Sequence, residues 1–214
     1  MRAVGIYLFI FFMTASNLVL AHPVIYGGGK VVSSFNMPSY SDNQLMYSMT
    51  SKWASGLNHW RFTKEDRNTE LGLARLNHLL YRNNGEDSQA NLYLLSGVGL
   101  VDAELEAKGT REAYMGGFET DWESRTLFVA LKHYQFTSPS LFDLGMTQAR
   151  VGFSPSETPF DQLQTWFMLQ AMYMPETDRT VMLTPLLRFF YHNVLWEVGS
   201  STRGEWMANL MVHF

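Results

Sequence analysis

From residue 29 onward the chain repeats one pattern. Runs of roughly 8 to 13 residues, rich in β-branched and aromatic side chains, are separated by short polar breaks. The breaks read "NMPSYSDN", "MTSK", "TKEDRN", "NNGEDSQ", "DAELEAKGTR", "WESR", "TSPSLFD", "SPSETPFDQ", "PETDR", "YHN" and "SSTRG". Twelve strands are therefore expected, near 29–36, 42–49, 52–62, 69–82, 89–100, 111–121, 125–136, 144–154, 163–174, 179–190, 193–199 and 203–214. Ten is the alternative count, if the weak N-terminal strands do not pair. No repeat or interdomain linker interrupts 22–214, so a single all-β domain is expected there.

Within the better strands every second residue is apolar. Leu92, Leu94, Val98 and Leu100 lie opposite Asn91, Tyr93, Gly97 and Gly99. Leu127, Val129 and Leu131 oppose Phe128, Ala130, Lys132 and Tyr134, and Ala149, Val151 and Phe153 oppose Gln148 and Arg150. The alternation blurs in "TELGLARLNHLLYR", where a bulge is expected to shift the register. Alternation alone does not say which face is inside, because a soluble barrel hides its apolar face and a membrane barrel turns it outward.

The N-terminus decides for export. "MRAVGIYLFIFFMTASNLVLAHP" has Arg2, an apolar run to Met13, a polar break, and small side chains at Val19 and Ala21 before His22. This is the pattern of a secretory signal peptide over 1–21. The run is too short to span ~30 Å of hydrocarbon comfortably. An exported chain without a spanning helix meets a membrane only as a closed barrel. Aromatic residues near strand ends fit interfacial girdles: Trp53, Trp60, Tyr81, Trp122, Tyr134, Trp166, Tyr173, Tyr191 and Trp206.

The final run, "WMANLMVHF", alternates apolar residues and closes on phenylalanine. In Trp206, Leu210, Val212 and Phe214 it resembles the assembly signal of bacterial outer-membrane β-barrel proteins. The chain also resembles small proteobacterial proteins with a start like "HPVIYGGG" and a middle like "LNHLLYRNNGEDSQANLYLLSGVG". These resemblances imply a closed antiparallel transmembrane barrel in the outer membrane of a Gram-negative cell. The partners they imply are outer-membrane lipids and, through the last strand, the barrel-assembly machinery. They imply no particular activity.

With apolar residues outward, the inward set is expected to include Asn91, Glu119, Asp121, Lys132, Gln148, Arg150, Gln164, Gln170, Arg188, Glu197 and Asn209. Unpaired charges in a narrow, low-dielectric interior are costly. Glu119, Asp121, Lys132, Gln148, Arg150, Gln170, Arg188 and Glu197 therefore either form an ionic plug or line a narrow solute path. The leading expectation is a structural or narrow solute-conducting barrel. The alternatives are a barrel enzyme acting on lipid or lipopolysaccharide, and a soluble periplasmic barrel binding a small apolar ligand or a metal.

Other chemistries find little support. Net charge is -4, which argues against nucleic acid. The absence of cysteine excludes disulfides, thiolate zinc sites and a cysteine nucleophile. Ser48 and Ser55 near His59, and Ser138 near His133, match no nucleophile spacing, so no catalytic residue is assigned. His59, His78 and His133 read as interfacial or lumen residues, and His213 as a marker of the periplasmic rim. His22, as a mature N-terminus, would offer an amine and an imidazole to a copper ion, and the thioethers of Met168, Met172, Met174 and Met182 suit Cu(I). Methionine is an ordinary gap-filler, so no metal or cofactor is assigned. "YGGGK" lacks the spacing of a phosphate loop and reads as a flexible entry to the first strand. No oligomeric state follows from the sequence.

Overall fold

A computed structural model describes residues 22–64, 67–103, 110–139, 141–159, 161–176 and 178–214; the signal-peptide expectation for 1–21 lies outside the described residues. The chain forms β1 (Lys30–Met37), β2 (Tyr40–Ser48), β3 (Trp53–Lys64), β4 (Arg67–Asn84), β5 (Ser88–Ala103), β6 (Arg111–Ser124), β7 (Leu127–Ser138), β8 (Phe142–Phe153), β9 (Gln164–Met174), β10 (Asp178–Tyr191), β11 (Val194–Ser200) and β12 (Trp206–His213). Each strand pairs with its sequence neighbours, and β1 pairs with β12 to close the barrel. The twelve expected strands are present.

Closure is antiparallel, from Val31 opposite His213 to Asn36 opposite Ala208. Lys30 and Phe214 exchange backbone hydrogen bonds of 3.0 and 2.9 Å beyond the last pair. The end of the barrel that holds these two residues is called proximal below, and the other distal. The register shift expected in the fourth run lies between Leu79 and Tyr81, opposite Tyr93 and Leu92. It returns Arg82 to the inner face, where its Nε donates to Asn91 Oδ1 at 2.6 Å.

Several boundaries shift by two or three residues from expectation, and two of the shifts fall in polar runs. The polar run Tyr40 to Asn43 belongs to β2 and not to a turn. Two of its side chains are tied into the sheet: Asp42 accepts from Asn58 inside, and Asn43 Oδ1 accepts from Ser34 outside. At the other end, Arg203 to Glu205 form a turn and β12 begins at Trp206. Gly204 there takes φ 79°, which favours glycine.

The apolar faces point outward. Val98, Val129, Val151 and Leu210 are each about half exposed, while Asn91, Glu119, Gln148, Arg150 and Glu197 are buried on the inner face. An apolar exterior on a closed sheet is the arrangement of a barrel solvated by lipid. Six of the nine aromatics expected at strand ends face outward: Trp53, Tyr81, Trp122, Tyr173, Tyr191 and Trp206. The other three, Trp60, Tyr134 and Trp166, are buried inside. Sequence position cannot separate a girdle aromatic from an inward one near a strand end, because the two faces differ by a single residue.

Before β1, residues 22–29 are not a loose entry. They cross the proximal mouth as a strap. Val24 and Ile25 are buried. The Ile25 N–H donates to Ser48 Oγ of β2 at 3.1 Å, and the Gly28 N–H to the Ser48 carbonyl at 2.7 Å. The Pro23 carbonyl accepts from Asn77 of β4 at 3.1 Å. The turn back into β1 passes through Gly28 at φ 90°, a conformation that glycine adopts without strain.

Candidate functional site

The candidate site is the lumen, and its layers follow from the inward positions of each strand. Along β3 toward the distal end these run Ala54, Gly56, Asn58, Trp60 and Phe62; along β7 they run Phe128, Ala130, Lys132, Tyr134 and Phe136. Both strands place polar groups at mid-height and aromatics beyond them.

The distal layer is an apolar plug. Trp60 meets Tyr134 and Phe136 edge-on, with ring centroids 5.3 and 5.0 Å apart, and Phe62 meets Phe136 at 5.4 Å. Such geometry adds roughly 0.5–1.5 kcal/mol per pair beyond area burial. Methionines fill the remaining space, among them Met115, Met146, Met172, Met182 and Met207. Met172 and Met182 stand opposite each other on β9 and β10. The four methionines considered as soft-metal ligands, Met168, Met172, Met174 and Met182, are all buried in this core.

Below it lies a band of paired polar groups. Glu197 is its hub. Its carboxylate accepts from Arg150 Nη1 at 3.1 and 3.2 Å, from Arg188 Nε at 2.7 Å and from Asn209 Nδ2 at 2.7 Å. Arg150 also donates to Gln170 Oε1, at 2.9 and 2.6 Å. The Arg188 guanidinium lies 4.7 Å from the centre of the Phe128 ring. Lys132 pairs with Glu119 at 3.0 Å, and Gln148 is buried facing inward. A buried pair gains little over apolar packing, but removing one partner leaves an uncompensated charge that costs about 3–5 kcal/mol.

A second cluster belongs to the same band and was not singled out in the sequence. Asn58 Nδ2 donates to Asp42 Oδ1 at 2.6 Å. Arg75 donates to Asn58 at 3.2 Å, to Asn77 at 2.9 Å and to the Tyr134 hydroxyl at 3.2 Å. Strict alternation in "GLNHWRF" would have found Asn58. Arg75 and Asn77 lie in the blurred run, and Asp42 lies in a stretch that reads as a turn.

At the proximal end, Asp121 accepts from Asn91 Nδ2 at 2.7 Å and faces the strap. His22 is buried with Nδ1 3.7 Å from Asp121 Oδ2 and Nε2 3.3 Å from Glu123 Oε1. Both carboxylates lie within ion-pair distance of the imidazole. Burial by itself would lower the His22 pKa; the two carboxylates outweigh it and raise the value to about 9. Beside the strap the mouth opens into a cavity of about 810 Å³, lined by Glu86, Glu123, Arg125, Glu157, Trp166 and Arg188 among others. Gln164 also lines this cavity. Arg125 is held there by Asp87 at 3.6 Å and Glu157 at 3.4 Å.

The histidines considered for catalysis lie on the outer wall. His59 is 3.6 Å from Glu70, His133 shares a hydrogen bond of 2.9 Å with Thr147, and His78 stacks on Trp53 at 3.8 Å. Among the described residues neither His59 nor His133 is hydrogen-bonded to a serine. Ser48 instead accepts from the strap, and Ser138 donates to the Glu112 carbonyl. His213 lies at the proximal end and is buried on the inner face.

No protein-family model matches the chain, and no curated protein sequence matches it. Solved structures do. The chain is similar to a KdgM porin in complex with disordered oligogalacturonate, with a TM-score of 0.50, 10% identity, and 87% of this chain and 98% of the other covered. A second KdgM porin structure gives 0.49 at 9% identity over the same shares. The barrel thus has the fold of a porin.

Proposed function

We propose that this chain is an integral barrel of the Gram-negative outer membrane, with a sealed lumen and a structural role, and not a standing channel. One observation carries the seal: Trp60, Leu71, Tyr93 and Gln170, contributed by four different strands, are each 0% exposed on the inner face. A water-filled path would leave such side chains accessible. The outward apolar belt, the aromatic rims and the porin fold support the membrane location. The outward, exposed Trp206, Leu210 and Phe214, with Val212 between them, support a last strand that is read by the assembly machinery.

The lumen is also ill-suited to the acidic sugar named for the similar porin. Arg75, Arg82, Lys132, Arg150 and Arg188 each hold a partner within the barrel. None is left to follow a chain of carboxylates. Purified protein in planar bilayers is expected to show no steady conductance steps, with or without oligogalacturonate. Stable ohmic steps would overturn the sealed reading.

A further inference from the structure

We propose that the wall formed by β11, β12, β1 and β2 seats a second copy of this chain, the two barrels joined through Asn36 and Asn43 about a two-fold axis along the membrane normal. The proposal rests on the outer-membrane reading.

Two independent observations converge on this wall. The first is length. β11, β12, β1 and β2 are contiguous in the barrel and have 7, 8, 8 and 9 residues. The other strands have 11 to 18. Eight residues at a tilt of ~40° cover about 20 Å of depth, short of an apolar band of ~25 Å. A surface too short for its bilayer thins the lipid around it or oligomerises.

The second is polarity. Val32 on β1 and Leu45 on β2 face outward and are about half exposed. Two residues further along their strands come Ser34 and Asn43, and then Asn36 on the same outer face, opposite Ser41, which is buried. Ser34 Oγ donates to Asn43 Oδ1 at 2.6 Å, and Asn36 Nδ2 donates to Ser34 Oγ at 2.8 Å. Ser34 stands opposite the outward Leu210 of β12, within the apolar belt. Hydrocarbon offers no hydrogen bonds to such groups. Among the described residues, the Asn43 Nδ2 donors and the Asn36 Oδ1 acceptor have no partner.

That pair of leftover groups selects the occupant. One donor and one acceptor on adjacent strands are self-complementary under a two-fold axis: Asn43 of each copy donates to Asn36 of the other. The depths match. Asn36 stands two residues beyond Ser34 along β1, while strand tilt lifts Asn43 above its ladder partner Ser34. For a tilt of ~40° the two amides come to within about 2 Å of the same depth. Hydrocarbon cannot supply this pairing, and a different protein would have to match it by coincidence.

The chain has no cysteine, so one introduced thiol reports one position. Ser34→Cys is expected to give a disulfide-linked species of twice the monomer mass when outer membranes are oxidised. Val129→Cys, outward on β7 at the far side of the barrel, is expected to stay monomeric. Asn36→Leu with Asn43→Leu is expected to leave a folded monomer by light scattering in detergent. A monomeric Ser34→Cys, equal cross-linking of Val129→Cys, an adduct of another mass, or a dimer that survives the double leucine change would each overturn the proposal. Recovery of every variant in the soluble fraction would instead reject the membrane reading, and the paired wall with it.

Discussion

His22 shows how a single side chain can hold an element. It ties the strap to β6 through Asp121 and Glu123, with the Tyr93 ring of β5 at 6.2 Å and His213 of β12 within electrostatic reach. Its pKa rises on folding from 6.5 to about 9, which corresponds to roughly 3 kcal/mol. Because the folded value is the higher one, this stability is complete below pH 6.5, declines from there, and is lost once pH passes about 9. Denaturation midpoints of wild type and His22→Ala in detergent are therefore expected to differ most at pH 6 and to converge by pH 10. A gap independent of pH would refute the ionic clasp. This contact was not legible in "HPVIYGGG", whose three glycines read as slack; only the burial of Val24 and Ile25 reveals a packed segment. The opposite holds for Glu197, Arg150 and Arg188. Their place opposite Val198, Val151 and Leu187 in short alternating runs assigned them to one face before any fold was known.

At the scale of the element, alternation located most strands to within a few residues because a half-solvated strand has few other ways to be built. It failed where pairing replaces solvent contact. Asp42 sits in a run that reads as a turn, yet its carboxylate is held by Asn58 and Gln44 across and along the sheet. Trp60, Tyr134 and Trp166 were misplaced for a related reason: an inner face filled with aromatics looks, in sequence, like a rim. Glycines mark where strands approach closely. A Cβ on Gly99 of β5 would run into the Gly72 carbonyl oxygen of β4, whereas a Cβ on Gly72 would meet nothing. Gly99→Val is thus expected to cost about 1–3 kcal/mol and to lower refolding yield, and Gly72→Val to be tolerated. Equal behaviour of the two variants in a refolding titration would contradict this account of the β4–β5 pair.

For the whole molecule, the strand count and closure were legible and the state of the lumen was not. Opposite charges on one face are compatible with either a plug or a path, and only packing distinguishes them: Glu197 at the centre of two guanidiniums, and Trp60 beneath Phe136. Closure depends on partners from opposite ends of the chain, such as Val31 and His213. A chain ending at Ser200 keeps eleven strands but leaves β1 and β11 without a shared neighbour. It is expected to lose the fast-migrating, heat-modifiable form on gels that a closed barrel gives; retention of that form would show that the ring seals without β12. The Lys30–Phe214 seam has a temporal consequence as well. Synthesis runs from the amino end, so the first strand made waits for the last. Until then its unpaired edge is a standing invitation to any passing β-segment, and a chaperone that shields β1 would guard the one part of the protein that cannot finish folding early.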